Sequence, residues 1–161
     1  MSESRYSREN EEAELAPTFR LWGQDMTRKR MTSKPRTKTM LLPLSSALVR
    51  NISLENHMSL AAMRSGHGTH DTMCALLRIL YMLFYMLEGN DRDAEFPQFL
   101  DAESALDKSI QAAATGQNWQ LDEESIPVME AMLLRFDEVI ANVPAFRYQD
   151  SMGEDGEVRA N

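Results

Sequence analysis

Between residues 41 and 144 the apolar positions recur at helical spacing, and no alternation is long enough to make a strand. Leu44, Ala47 and Leu48 fit a short helical face after Pro43. Ser53 is a good N-cap for a longer helix carrying Leu54, His57, Met58, Leu60 and Ala61 inward. Gly66 ends that helix, because glycine tolerates the left-handed geometry of a C-terminal stop. Thr69 then caps the next helix, with Asp71 placed favourably in the first turn of the dipole. From Met73 to Leu87 only Arg78 interrupts the apolar run, so this helix, ending near Glu88 before Gly89-Asn90, must be covered on all sides.

A third helix is predicted from about Glu95 to Ala114, with Phe96, Phe99, Leu106, Ile110 and Ala113 on one stripe. Gly116-Gln117-Asn118 closes it. Trp119 and Leu121 lead into a fourth helix, whose first turn is loaded with Asp122, Glu123 and Glu124. Pro127 is tolerated near that start. Ile126, Met129, Leu133, Phe136, Ile140 and Val143 alternate spacings of three and four, the seam of packed antiparallel helices, and Pro144 stops the helix. The fold class is therefore all-α, an antiparallel bundle of about four helices, since short connections favour antiparallel neighbours. The helix of residues 73–87 has more apolar surface than three partners easily cover, which predicts a homodimer.

Outside this block the pattern changes. Residues 1–40 hold no sustained apolar period and carry Pro17 and Pro35 as breakers, so they read as a flexible basic arm. Leu15, Phe19, Leu21 and Trp22 form one apolar cluster within it, enough for a turn of amphipathic helix. Residues 145–161 are polar, acidic and glycine-containing, and read as a loose acidic tail. The helical body is thus 41–144.

Charge divides the chain in the same place. Residues 1–40 hold nine Lys/Arg against six Asp/Glu, a net +3, and the rest holds eight against nineteen, a net −11. The segment from Arg28 to Lys38 has six cations and no acid: Arg28, Lys29, Arg30, Lys34, Arg36 and Lys38. Such a run binds phosphate backbones by releasing counterions, and it lacks an aromatic to stack on bases. Its plainer reading is a solvated tail.

Composition narrows the chemistry. Twelve methionines suit an adaptable helical core. One cysteine, Cys74, excludes an intrachain disulfide and predicts a reducing, cytoplasmic setting. The amino-terminal residues have no apolar leader pattern, and the longest apolar stretch is too short to span a bilayer. His67, His70 and Cys74 are possible zinc ligands, and His70 and Cys74 share a helical face, but no fourth ligand accompanies them. Cys74 as a nucleophile would need His70 as its base and an electropositive pocket, whereas the apolar helix argues for a structural thiol. No phosphate-binding glycine loop, dinucleotide fingerprint or hydrolase elbow is present. No cofactor, metal or catalytic residue is therefore assigned.

The stretch Asn56-His57-Met58-Ser59-Leu60-Ala61-Ala62-Met63-Arg64-Ser65-Gly66-His67-Gly68-Thr69-His70-Asp71 resembles a pattern in small helical proteins of bacterial prophages and plasmids. Those proteins have a basic amino terminus, a helix ending in Arg-x-Gly and a Thr-capped helix opening with Asp, and some are described as transcription regulators. The resemblance covers roughly residues 41–143 and implies an accessory protein of a mobile element with no catalytic residues. Three functions follow: a non-enzymatic regulatory or interaction protein contacting nucleic acid through residues 28–38, an acidic inhibitor of a host protein, or a small metal-dependent enzyme at His67, His70 and Cys74.

Overall fold

The computed structural model describes residues 36–158, with side chains described as far as residue 153. The cluster at Leu15, Phe19, Leu21 and Trp22 and the basic residues Arg28, Lys29, Arg30 and Lys34 lie outside the described residues. After a short 3-10 turn at Lys38–Leu41 come five α-helices: α1 (Ser46–Arg64), α2 (His70–Met86), α3 (Gly89–Ala114), α4 (Ile126–Asn142) and α5 (Ala145–Val158). Among the described residues there is no strand, only isolated bridges at Pro43–Pro144 and Gly68–Trp119, and no helix is long and apolar enough to cross a membrane.

The first helix is continuous where the sequence predicted a break. No Gly or Pro interrupts residues 46–64, so the cap moves back to Ser45, whose hydroxyl accepts the Leu48 N–H at 3.3 Å. Ser53 sits mid-helix and donates its hydroxyl to Asp137 Oδ2 at 2.9 Å. The inward face also differs. Asn56, Leu60 and Met63 are buried, while Leu54, Met58 and Ala61 point outward with His57 at the margin. α1 carries apolar residues on two sides, and the side that ends on Met63 is the one buried. The stop is as predicted: Gly66 takes φ +73°.

The Thr69 cap is reciprocal. Thr69 Oγ1 accepts the Thr72 N–H at 3.2 Å, and Thr72 Oγ1 accepts the Thr69 N–H at 2.7 Å. α2 is the central helix and packs against α1, α3, α4 and α5. Only His70, Asp71 and Arg78 are exposed along it. Met73, Leu76, Ile79, Leu80, Met82, Leu83 and Met86 are buried within the chain, and Leu77, Tyr81, Phe84 and Tyr85 are half-buried. Leu80 is fully inside at 1% exposure. Phe84 is half-buried and meets Phe99 edge to face, with ring centres 5.4 Å apart.

α3 starts six residues before the predicted Glu95. Gly89 and Asn90 open it instead of closing α2, because Leu87 and Glu88 already take extended backbone and supply the break. Its buried face holds Phe99, Ala102, Glu103, Ala105, Leu106 and Ser109. The predicted stripe members Phe96, Ile110 and Ala113 are half-buried at its edges.

α4 buries Ile126, Met129, Leu133, Phe136 and Ile140 as the three-four spacing predicted, widened by Met132 and Val139. Val143 is half-buried, beyond the helix end. Asp122, Glu123 and Glu124 do not form its first turn. They form a turn before it, in which Asp122 Oδ1 accepts the Ser125 N–H at 2.7 Å. Hydrogen bonding from Ser125 holds the Asp122 carboxyl below its ordinary pKa. A depressed carboxylate stabilises the fold above the unfolded pKa of about 3.9 and loses that contribution as pH falls through the folded value. Asp122→Ala should cost about 0.5 kcal/mol at neutral pH, the low end for a capping side chain, and less in acid. Thermal melts at pH 7 and in acid check this; an equal loss at both would contradict it.

The segment expected as a loose tail begins instead with α5, which packs on α2 and on the 3-10 turn. The Ala145 N–H donates to the Leu42 carbonyl at 2.8 Å, Arg147 donates to the Met86 carbonyl at 3.0 Å, and Ser151 is buried. Arg147 also pairs with Glu88. The Ala145 amide and Arg147 tie this helix to the rest of the chain, contacts that hydrophobic patterning does not register.

Candidate functional site

Of the six cations predicted to meet phosphate, Arg36 and Lys38 are described. Arg36 lies with its guanidinium carbon 3.7 Å from the centre of the Phe146 ring and pairs with Asp150 at 3.4 Å, so it ties the chain to α5. Lys38 opens the 3-10 turn and is exposed. The body's arginines are largely occupied with the body. Arg64 pairs with Glu130 at 3.3 Å, and Arg92 donates to the Leu87 carbonyl at 2.6 Å. Arg135 pairs with Glu95 at 2.8 Å and Glu138 at 3.2 Å; the hydrogen bond to Glu95 is the main reason its pKa rises further. Arg147 serves Glu88 and Met86 as above.

The histidine and cysteine set does not converge. His70 Nε2 lies 3.6 Å from Cys74 Sγ, and its ring meets Trp119 edge-on at 5.9 Å. His67 Nδ1 lies 3.0 Å from the Ser65 carbonyl oxygen. Among the described residues no group of three or more His, Cys, Asp or Glu side chains is arranged to hold a metal ion.

Sequence reasoning missed a third cluster. His57 Nε2 and Ser53 Oγ each lie 2.9 Å from Asp137 Oδ2, joining α1 to α4. The serine proton points to the carboxylate, so the cluster lacks the serine-to-imidazole hydrogen bond by which a histidine base activates a serine. Asp137 Oδ1 and Asn56 Nδ2 are buried without a hydrogen-bond partner. Ser53 and His57 are one helical turn apart, a spacing visible in the sequence. Their convergence on Asp137, eighty residues on from His57, was not.

One side of α1 presents apolar residues to solvent. Leu54 is 61% and Met58 62% exposed on α1, and Ala47 and Ala61 continue the same side. Leu134 on α4 is exposed too, one turn from Asp137 and hence beside the His57 contact. An open polar depression lies beside the end of α3, lined by Lys108, Ser109, Gln117, Asn118 and Asp122 among others. No family model, curated protein or solved structure matches this chain.

Proposed function

We propose that this chain is a non-enzymatic regulatory or interaction protein of a mobile genetic element, an antiparallel helical bundle that contacts nucleic acid through Arg28, Lys29, Arg30, Lys34 and Lys38. Arg36 serves this as the anchor of the run, held by Phe146 and Asp150. The observation that carries the reading is the engagement of four of the six described arginines that follow Arg36. Arg64, Arg92, Arg135 and Arg147 are bound to carboxylates or carbonyls, and residues 41–161 as a whole carry a net charge of −11 from eight cations and nineteen anions. Affinity for phosphate is then concentrated in residues 28–38, and the mobile-element assignment follows the resemblance over residues 56–71.

The contacts are to phosphates, so binding is weakly dependent on sequence. Replacing Arg28, Lys29, Arg30, Lys34 and Lys38 by Gln in the full chain should lower affinity for duplex DNA about tenfold or more at low salt, from lost counterion release. The melting temperature should hardly move. Fluorescence anisotropy with labelled duplex and single-stranded RNA measures this. Undiminished binding by the variant would place the contacts on the helices and overturn the assignment.

A further inference from the structure

The outward side of α1 has a regular order. Ala47, Asn51, Leu54, Met58, Ala61 and Ser65 follow one another at spacings of four, three, four, three and four. That is the alternation of a two-helix seam, with Asn51, Met58 and Ser65 at a positions and Ala47, Leu54 and Ala61 at d. This stripe faces solvent, opposite the buried Asn56, Leu60 and Met63. Asn51 at an a position is the kind of polar residue that fixes register and oligomer state, and Leu54 is the one leucine among d positions that otherwise hold Ala47 and Ala61. The flanks agree: Arg50 falls at g and Glu55 at the following e, and neither makes an ion pair among the described residues. In a parallel pair these positions face each other across the seam, and each copy supplies one of each sign.

We propose that α1 pairs in parallel with α1 of a second copy of this chain, with Leu54 and Met58 at the centre of the contact. The homodimer is thereby assigned to α1, not to the central helix α2. At 19 residues the seam is about 28 Å long. A standard interface covers about 800 Å² on each partner, so a short seam alone makes a weak, concentration-dependent dimer. Leu48 is also exposed near the amino-terminal end of α1, and Leu41 and Leu42 are exposed in the segment before it. Parallel pairing also brings the two copies of Lys38 to one end, although the pairing stands independently of any nucleic-acid contact.

Sedimentation equilibrium of the full chain across a concentration series should approach twice the 18.4 kDa chain mass. Leu54→Glu with Met58→Glu should abolish association with unchanged circular dichroism, since both side chains are already in solvent. Arg50→Glu alone should weaken the dimer by placing glutamates opposite each other, and Arg50→Glu with Glu55→Arg should restore it. An antiparallel pair would bring Arg50 near Arg64 of the other copy, so Arg50→Glu would strengthen it. In a Cys74→Ser background, Asn51→Cys should form a disulfide to its own counterpart on mild oxidation. A mass that stays monomeric, a stronger dimer with Arg50→Glu, or no cross-link in the Asn51→Cys variant would overturn the proposal. None of these results bears on residues 28–38, whose binding is read with the Gln variant.

Discussion

Gly68→Ala is expected to be among the most damaging single methyl additions in the described chain. Gly68 bridges to Trp119, and a Cβ there would collide with the Trp119 carbonyl and the Met63 sulfur. Met63 could swing its thioether aside, but the Trp119 carbonyl is backbone and is fixed by the turn leading to Leu121, whose N–H donates to the Met63 carbonyl at 3.2 Å. The conflict therefore separates the α1–α2 corner from the segment entering α4. Overpacking of this kind costs about 1–3 kcal/mol and occasionally more, and backbone on one side puts Gly68 at the upper end. Gly153→Ala is the control of opposite sign. Its Cβ would meet nothing within 4 Å in α5, so the change should stabilise by about 0.5–1 kcal/mol through helix propensity. Denaturant melts of the two variants check this; a Gly68→Ala protein as stable as the parent would contradict the close approach.

Leu80→Ala and Phe136→Ala should show the other large losses, about 2–5 and 3–5 kcal/mol respectively, from lost transfer energy plus the cavity left behind. Each parent side chain is 1% exposed, one on the central helix and one on α4, which packs against it. A domain stable by about 5–15 kcal/mol loses a large fraction of its margin to either change. Phe84→Ala should cost less, because that ring is only half-buried. Equilibrium unfolding in urea separates them. If Phe84→Ala proves worse than Leu80→Ala, the burial described for α2 is wrong.

The parts of this fold legible in the sequence are those where one strong local signal acted alone. Thr69 with Asp71, Gly66, and the three-four spacing from Ile126 to Ile140 each marked an element correctly, because capping and burial there have no competitor. α1 misled in two ways. Ser53 has the chemistry of a cap but a continuous helix on either side, and its hydroxyl is taken by Asp137. Leu54 and Met58 have the chemistry of a core but lie opposite Met63, so hydrophobicity alone chose the wrong face. α5 went unseen because the Ala145 amide and Arg147 tie it to the Leu42 and Met86 carbonyls, and such contacts leave no periodic mark. The basic run was plain in the sequence, but the capture of Arg36 by Phe146 and Asp150 joins residues more than a hundred positions apart.

That capture refines the functional account. With Arg36 serving α5, five cations remain in residues 28–38 for phosphate. The acidic body opposes approach within about 8–10 Å at physiological salt, so binding by the chain alone is weak, and counterion release makes it strongest at low ionic strength.

The most direct test of this account is the salt dependence of duplex DNA binding by the full chain, followed by anisotropy. Five available contacts predict a log–log slope between about −3 and −4.5, at about −0.9 per neutralised phosphate, falling towards zero when those five residues become Gln. An absence of binding even at low salt, or a slope that the Gln variant leaves unchanged, would contradict the account; the first result would favour the acidic body as the interacting surface.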